Sequence, residues 1–103
     1  MTVKLVVLYT QPDDPEAFDE HYLSRHAPLV DRIPGLERWE SARFLAATDG
    51  GELTYHRMAE LYFTDEDAMR AALAPDEARA SREDYEQIAP PGSRRFVAQV
   101  DQH

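Results

Sequence analysis

One α+β domain with the order β-α-β-β-α-β is what this sequence predicts, and three observations carry the prediction. Segments rich in β-branched and aromatic residues recur along the chain. Stretches of helical periodicity, each opened by a capping residue, stand between them. Pro- and Gly-containing breaks separate one element from the next. Together they describe the ferredoxin-like split βαβ arrangement, a four-stranded antiparallel sheet with helices on one face. The chain has 103 residues, 43% of them hydrophobic, which is enough for one domain over residues 1–103 and too short for two.

Val3–Tyr9 is the first strand, broken by Gln11-Pro12-Asp13-Asp14-Pro15. Asp14 fits an N-cap, Pro15 the first helical position, and Glu16 the positive end of the helix dipole. A helix is predicted from there to about Arg32, ended by Ile33-Pro34-Gly35. Leu36–Leu45 reads as the second strand and Leu53–Phe63 as the third, paired as a hairpin around Asp49-Gly50-Gly51. Thr64 is the expected cap of the next helix, with Asp67 completing an approximate capping box. Pro75 interrupts it, and a second piece runs from Asp76 to about Ile88. Pro90-Pro91-Gly92 leads into a last strand over Arg95–Val100.

The sheet has two faces and the helices can cover one. Val3, Leu5, Val7 and Tyr9 point one way and Val6 and Leu8 the other; Ala59, Leu61 and Phe63 oppose Met58 and Tyr62. Both faces are therefore partly apolar. A second copy packed sheet against sheet by two-fold symmetry covers the free one, so a homodimer is expected.

The net charge of −9 argues against nucleic acid and anionic membrane surfaces as partners. Cysteine is absent, which removes disulfides and thiolate chemistry. The first strand is too short and wrongly flanked for a signal peptide, no apolar run approaches a membrane span, and a cytoplasmic location is the default.

The first helix carries the strongest chemical signal. With Phe18 at zero and about 100° per residue, Leu29, Tyr22, His26, Val30 and Leu23 fall between roughly 20° and 140°. His26 is thus central in an apolar stripe, and His21, about 60° outside it, is a rim residue. Pro28 has no N–H for the Ser24 carbonyl, so the helix should kink there and open space beside the imidazole. Histidine exchanges protons near neutrality, which makes His26 the candidate catalytic residue. His21 and His26 stand about 140° apart on a regular helix and cannot both face one ion, so no metal site is expected. Tyr22, His21, Trp39, His56, Met58, Tyr62 and Tyr85 are candidate contacts for a flat, apolar or aromatic small molecule. Glu60 reads as a paired or wet mid-strand acid, and Asp84 as a solvated acid beside a packed ring. No phosphate loop, nucleophile elbow or dinucleotide fingerprint occurs, so no cofactor is expected.

Phe18-x-x-His21-Tyr22-x-x-x-His26-Ala27-Pro28-Leu29, followed by Ile33-Pro34-Gly35, resembles the signature of the EthD family. Tyr55-His56-Arg57-Met58-Ala59-Glu60-Leu61-Tyr62-Phe63 is similar to its third strand, and the Ala-rich helix, Asp84 and the final Pro-Gly also fit. The resemblance implies a dimeric α/β barrel of two ferredoxin-like subunits, each with a cleft between helices and sheet. It links the chain to accessory proteins of ethyl tert-butyl ether degradation. Through the wider barrel group, it also links it to lactone isomerases, polyketide cyclases, dehydratases and oxygenases. His26 is the position it marks as functional. Three readings follow. The first is a cofactor-free isomerase-, cyclase- or dehydratase-like protein of catabolic or secondary metabolism. The second is a non-catalytic accessory or ligand-binding protein for oxidative degradation. The third is an oxidoreductase, reductase or monooxygenase, using an external cofactor.

Overall fold

The computed structural model describes residues 1–103. Its elements are β1 (Val3–Thr10), α1 (Pro15–His21), a π-helical turn (Tyr22–His26), α2 (Ala27–Asp31), β2 (Arg38–Arg43), β3 (Tyr55–Phe63), α3 (Glu66–Leu73), α4 (Asp76–Ile88) and β4 (Arg94–Gln99). The strands form one antiparallel sheet in the order β2-β3-β1-β4, the ferredoxin-like topology that the sequence predicts.

Strand alternation decides which side chains meet the helices. Val3, Val7 and Tyr9 of β1 are buried, in register with Phe63, Ala59 and Arg57 of β3. Phe18, Tyr22 and Val30 come down on them from the first helical segment, Met69 and Ala72 from α3, and Ala78 from α4. Asp14 caps α1 as expected, accepting a hydrogen bond from the Ala17 amide at 3.1 Å. The second cap is Asp65 rather than Thr64: its carboxylate accepts from the Ala68 amide at 2.7 Å. Thr64 instead donates its hydroxyl to Glu37 Oε1 at 2.7 Å.

The hairpin is shorter than predicted. β2 stops at Arg43 and β3 starts at Tyr55, with the Phe44 amide still bonding the His56 carbonyl at 2.9 Å. Leu45 is 81% exposed, so its apolar side chain extends the sequence pattern without extending the core. Asp49 Oδ1 accepts from the Gly51 amide and Gly50 takes a φ of +76°, which glycine adopts without a Cβ clash.

Opposite the helices lies an open face. Lys4 Nζ donates to Glu60 Oε2 at 2.6 Å, so Glu60 is paired across strands. The Arg38 guanidinium covers the Tyr62 ring at 3.8 Å. Val6, Leu8 and Met58 are half-buried beside them, and Phe96 is 40% exposed.

Candidate functional site

Pro28 shapes the helix that carries the histidines. It offers no amide to the Ser24 carbonyl, and the chain answers with a widened turn in which the Ala27 amide bonds the Tyr22 carbonyl, five residues back. The predicted kink is therefore a π-turn inside a continuous helical path. One residue more per turn brings residues five apart to the same side. His21 and His26, separated on a regular wheel, converge on one carboxylate: Asp84 accepts from His21 Nε2 at 2.9 Å and from His26 Nδ1 at 2.9 Å. Leu23, placed within the apolar stripe by the regular wheel, is turned outward and is 58% exposed.

His26 itself is 5% exposed, as its place in the stripe requires. Burial holds its pKa below the ordinary 6.5, with the nearby His21 acting in the same direction and Asp84 opposing. Its imidazole is therefore neutral at pH 7. A carboxylate only accepts, so the Nδ1–H points at Asp84 and the lone pair is left on Nε2. The Tyr9 hydroxyl stands 3.4 Å from that nitrogen. Burial raises the Tyr9 phenol far above its usual pKa and keeps it a proton donor.

Around His26 opens a cavity of about 520 Å³, part of it open to solvent. β1 and β3 contribute its floor with Leu5, Val7, Tyr9, Ala59 and Leu61. Val30, Ile33 and Leu73 form apolar walls, and Ser81, Arg82, Tyr85 and Arg95 complete the rim. The arrangement offers an apolar bed, a base with a fixed tautomer and a phenol donor beside it.

The other candidate residues divide by location. Tyr85 lines the cavity, its ring 5.5 Å from that of Tyr9. Tyr22 lies behind His26, ring to ring at 5.2 Å; it is fully buried, and burial pushes its phenol up to about 12. The Tyr22 hydroxyl has no partner of hydrogen-bonding geometry, although the Ser41 side chain and the Arg57 charge oppose the effect of burial. Trp39 donates its indole N–H to Asp31 at 2.7 Å, tying β2 to α2 outside the cavity. Met58 and Tyr62 stand on the open face of the sheet and do not line the cavity.

His56 belongs to a separate network. The register of β1 and β3 steps from Tyr9↔Arg57 to Thr10↔Tyr55, so His56 is an extra, bulged residue. The bulge turns both His56 and Arg57 toward α1. There Asp19 Oδ1 accepts from His56 Nε2 at 2.8 Å and from Arg57 Nε and Nη2 at 3.3 and 3.2 Å. Desolvation pulls the Asp19 pKa up, but these hydrogen bonds outweigh it and leave the carboxyl below its usual 3.8.

Sequence reasoning missed Tyr9, Asp84, Arg82 and Arg95 as site residues. Asp84 is not the solvated acid expected but the joint acceptor of two imidazoles. For Arg82 the signal was the α4 period: Ala78, Ser81, Arg82 and Tyr85 share a cavity-facing stripe.

The family model described as the EthD domain matches residues 11–92. An uncharacterized 11.0 kDa protein of Rhodococcus erythropolis, from the thcB-thcC intergenic region, is 34% identical over 89 residues, covering 86% of this chain and 85% of the relative. The crystal structure of an ethyl tert-butyl ether d (ethd) family protein from Bacillus halodurans superposes with a TM-score of 0.92 at 37% identity, covering 98% of this chain and 100% of that one. SnoaB, a cofactor-independent oxygenase from Streptomyces nogalater, shares the fold with a TM-score of 0.69 at 22% identity, covering 99% and 95% of the two chains.

Proposed function

The chain belongs to the EthD family, and we propose that it acts on a small apolar or aromatic molecule, with His26 as the proton-transfer group. One observation carries this reading: His26 Nε2 carries a lone pair at an apolar cavity while Nδ1 is bonded to Asp84. Nε2 takes a proton from a carbon next to a carbonyl, and the electron pair stays on the substrate as an enolate. The same nitrogen returns the proton to a second carbon, which isomerises the substrate, or gives it to a β-hydroxyl, which leaves as water as the enolate electrons form the double bond. Asp84 offsets the charge of the transient imidazolium, and the Tyr9 hydroxyl is placed to steady the oxygen. A fold neighbour described as a cofactor-independent oxygenase supports the idea that side chains alone can carry chemistry on this scaffold.

The test is deuterium incorporation in D₂O at the carbon beside the carbonyl, followed by NMR over a panel of aryl ketones and butenolides. The protein is expected to speed exchange, and His26→Gln to slow it by about 10²–10⁴-fold, the usual contribution of a positioned proton-transfer group. Equal exchange with both proteins overturns the role of His26, and exchange no faster than in buffer overturns catalysis. Saturable binding without exchange would instead make the chain a ligand-binding accessory protein.

The open sheet face supports a homodimer. Val6, Leu8, Met58 and Phe96 form an apolar area that a second copy covers face to face, with Lys4–Glu60 at its centre. Analytical ultracentrifugation should give twice the 11.8 kDa chain mass, and Phe96→Glu should shift it toward the monomer.

A further inference from the structure

The cavity beside His26 has a charge pattern that runs against the chain as a whole. The protein has 20 acidic and 11 basic residues. Yet no carboxylate lines the cavity, whereas Arg82 and Arg95 both do. Arg38, Arg57, Arg70 and Arg79 are held in ion pairs with carboxylates; Arg82 and Arg95 are in none. Arg25, Arg32, Arg43 and Arg94 are also unpaired and, like Arg95, exposed, but they do not line the cavity.

The two cavity arginines come from different elements, α4 and β4, and both line this one cavity. Arg82 is half-buried, one helical turn before Tyr85. The Arg95 guanidinium lies 4.5 Å over the Tyr85 ring, which fixes the plane of its donor fork. Its charge reaches inward, lowering the pKa of Tyr9 and of Tyr85 against the larger effect of burial. A low-dielectric cleft with cations of one sign at its mouth focuses field lines on an entering anion. Guanidinium forks match carboxylate geometry with two parallel hydrogen bonds.

We propose that the molecule this cavity takes carries a carboxylate, held by Arg82 and Arg95 at the rim, and an apolar body that lies on Leu5, Leu61 and Leu73. The inference rests on the reading of the cavity as a ligand site and names the class of ligand within it. The charged end stays at the rim, beyond the apolar walls, and the hydrocarbon end reaches the floor below His26.

Calorimetric titration with three acid–amide pairs tests it: naphthalene-2-carboxylate, trans-cinnamate and 4-phenylbutanoate, each against its primary amide. In at least one pair the acid is expected to bind about tenfold more tightly than the amide, as befits a charge-assisted contact, and to weaken with added NaCl. In Arg82→Met/Arg95→Met the advantage should vanish while amide binding is kept. Arg82→Lys and Arg95→Lys, which keep the charge and lose the fork, should retain only part of it. Equal binding of acid and amide, or an advantage that survives the double substitution, overturns the carboxylate assignment alone. No binding by any member of the three pairs overturns both this assignment and the ligand-site reading. An acid preference that persists in His26→Gln, with deuterium exchange unchanged by that substitution, removes the proton-transfer role and leaves the carboxylate assignment standing.

Discussion

Asp84 and Asp19 each accept a hydrogen bond from a histidine, at 2.9 and 2.8 Å, yet the two pairs are finished differently. Asp19 is also held by Arg57, a permanent cation, whose charge matches the carboxylate at every working pH. Asp84 is held by His21, whose positive charge depends on a proton. His56 packs against Phe18, ring centroid to ring centroid at 5.7 Å, and does not line the cavity. His26 turns its second nitrogen to a cavity. The two regions touch at Tyr22, whose ring lies 4.7 Å from the Arg57 guanidinium and 5.2 Å from the His26 ring. The same residue types thus make a brace where a fixed charge completes them, and leave a ring nitrogen facing a cavity where none does.

The comparison breaks if the two networks respond alike to substitution. Arg57→Ala leaves Asp19 without its fixed counter-charge and should lower the unfolding free energy by about 3–5 kcal/mol, read from urea melts. Asp84→Asn should lower it by less than about 2 kcal/mol, because a neutral acceptor can keep one hydrogen bond. Equal losses would make both networks structural.

Acid should separate the two regions by pH. The folded pKa of His26 lies below 6.5, so between 6.5 and that value the unfolded chain binds a proton that the native one does not. Stability is full above 6.5 and falls as pH drops through this window, with a slope of at most about 1.4 kcal/mol per pH unit. His26→Gln should flatten it. The folded pKa of Asp19 lies below 3.8, so its contribution is present above 3.8 and is lost only as pH falls from there. Urea melts between pH 8 and 3 should show two separate declines. Tyr22→Phe removes a buried hydroxyl that has no partner, and is expected to hold or raise stability by about 1 kcal/mol. Smallest of all is Leu23→Gln, with a change within about 0.5 kcal/mol, because the side chain is in water. A regular helix would bury it and give a loss of about 2 kcal/mol.

What was legible in the sequence follows what is local in the physics. Strand alternation around Val3–Tyr9, the Asp14 cap and the Pro75 break are set by neighbours within a few residues, and all appear in the fold. The burial of His26 was legible too, because it sits near the centre of the stripe under either turn geometry. The direction of His21 and Leu23 was not: a wheel with a fixed period has no place for a turn one residue longer. Asp84 was hidden by distance, standing 58 residues from His26 on a helix whose acids are mostly solvated. Arg57 and His56 were hidden by the bulge, which breaks the parity that assigns strand residues to faces. Thr64 has Asp67 three residues on, as a capping box requires, but Asp65 caps at least as well by residue type and is the residue that does so.

The π-turn makes the site a matter of counting. Five residue steps join His21 to His26, and the widened turn uses all of them to return to one side. Deleting a single residue such as Ser24 would leave composition, charge and both imidazoles in place. It would also let the helix close in ordinary α-helical steps, four residues from one imidazole to the other. Residues four apart share a face of an α-helix, so the two imidazoles and Val30 beyond them would keep their sides, with the later residues drawn in by about 1.5 Å. Pro28 would then follow Leu23 by four residues, and its ring would crowd a carbonyl that it cannot bond. The extra residue thus gives the proline room within a continuous helical path, and the spacing between the imidazoles is set by that ring as much as by their own chemistry.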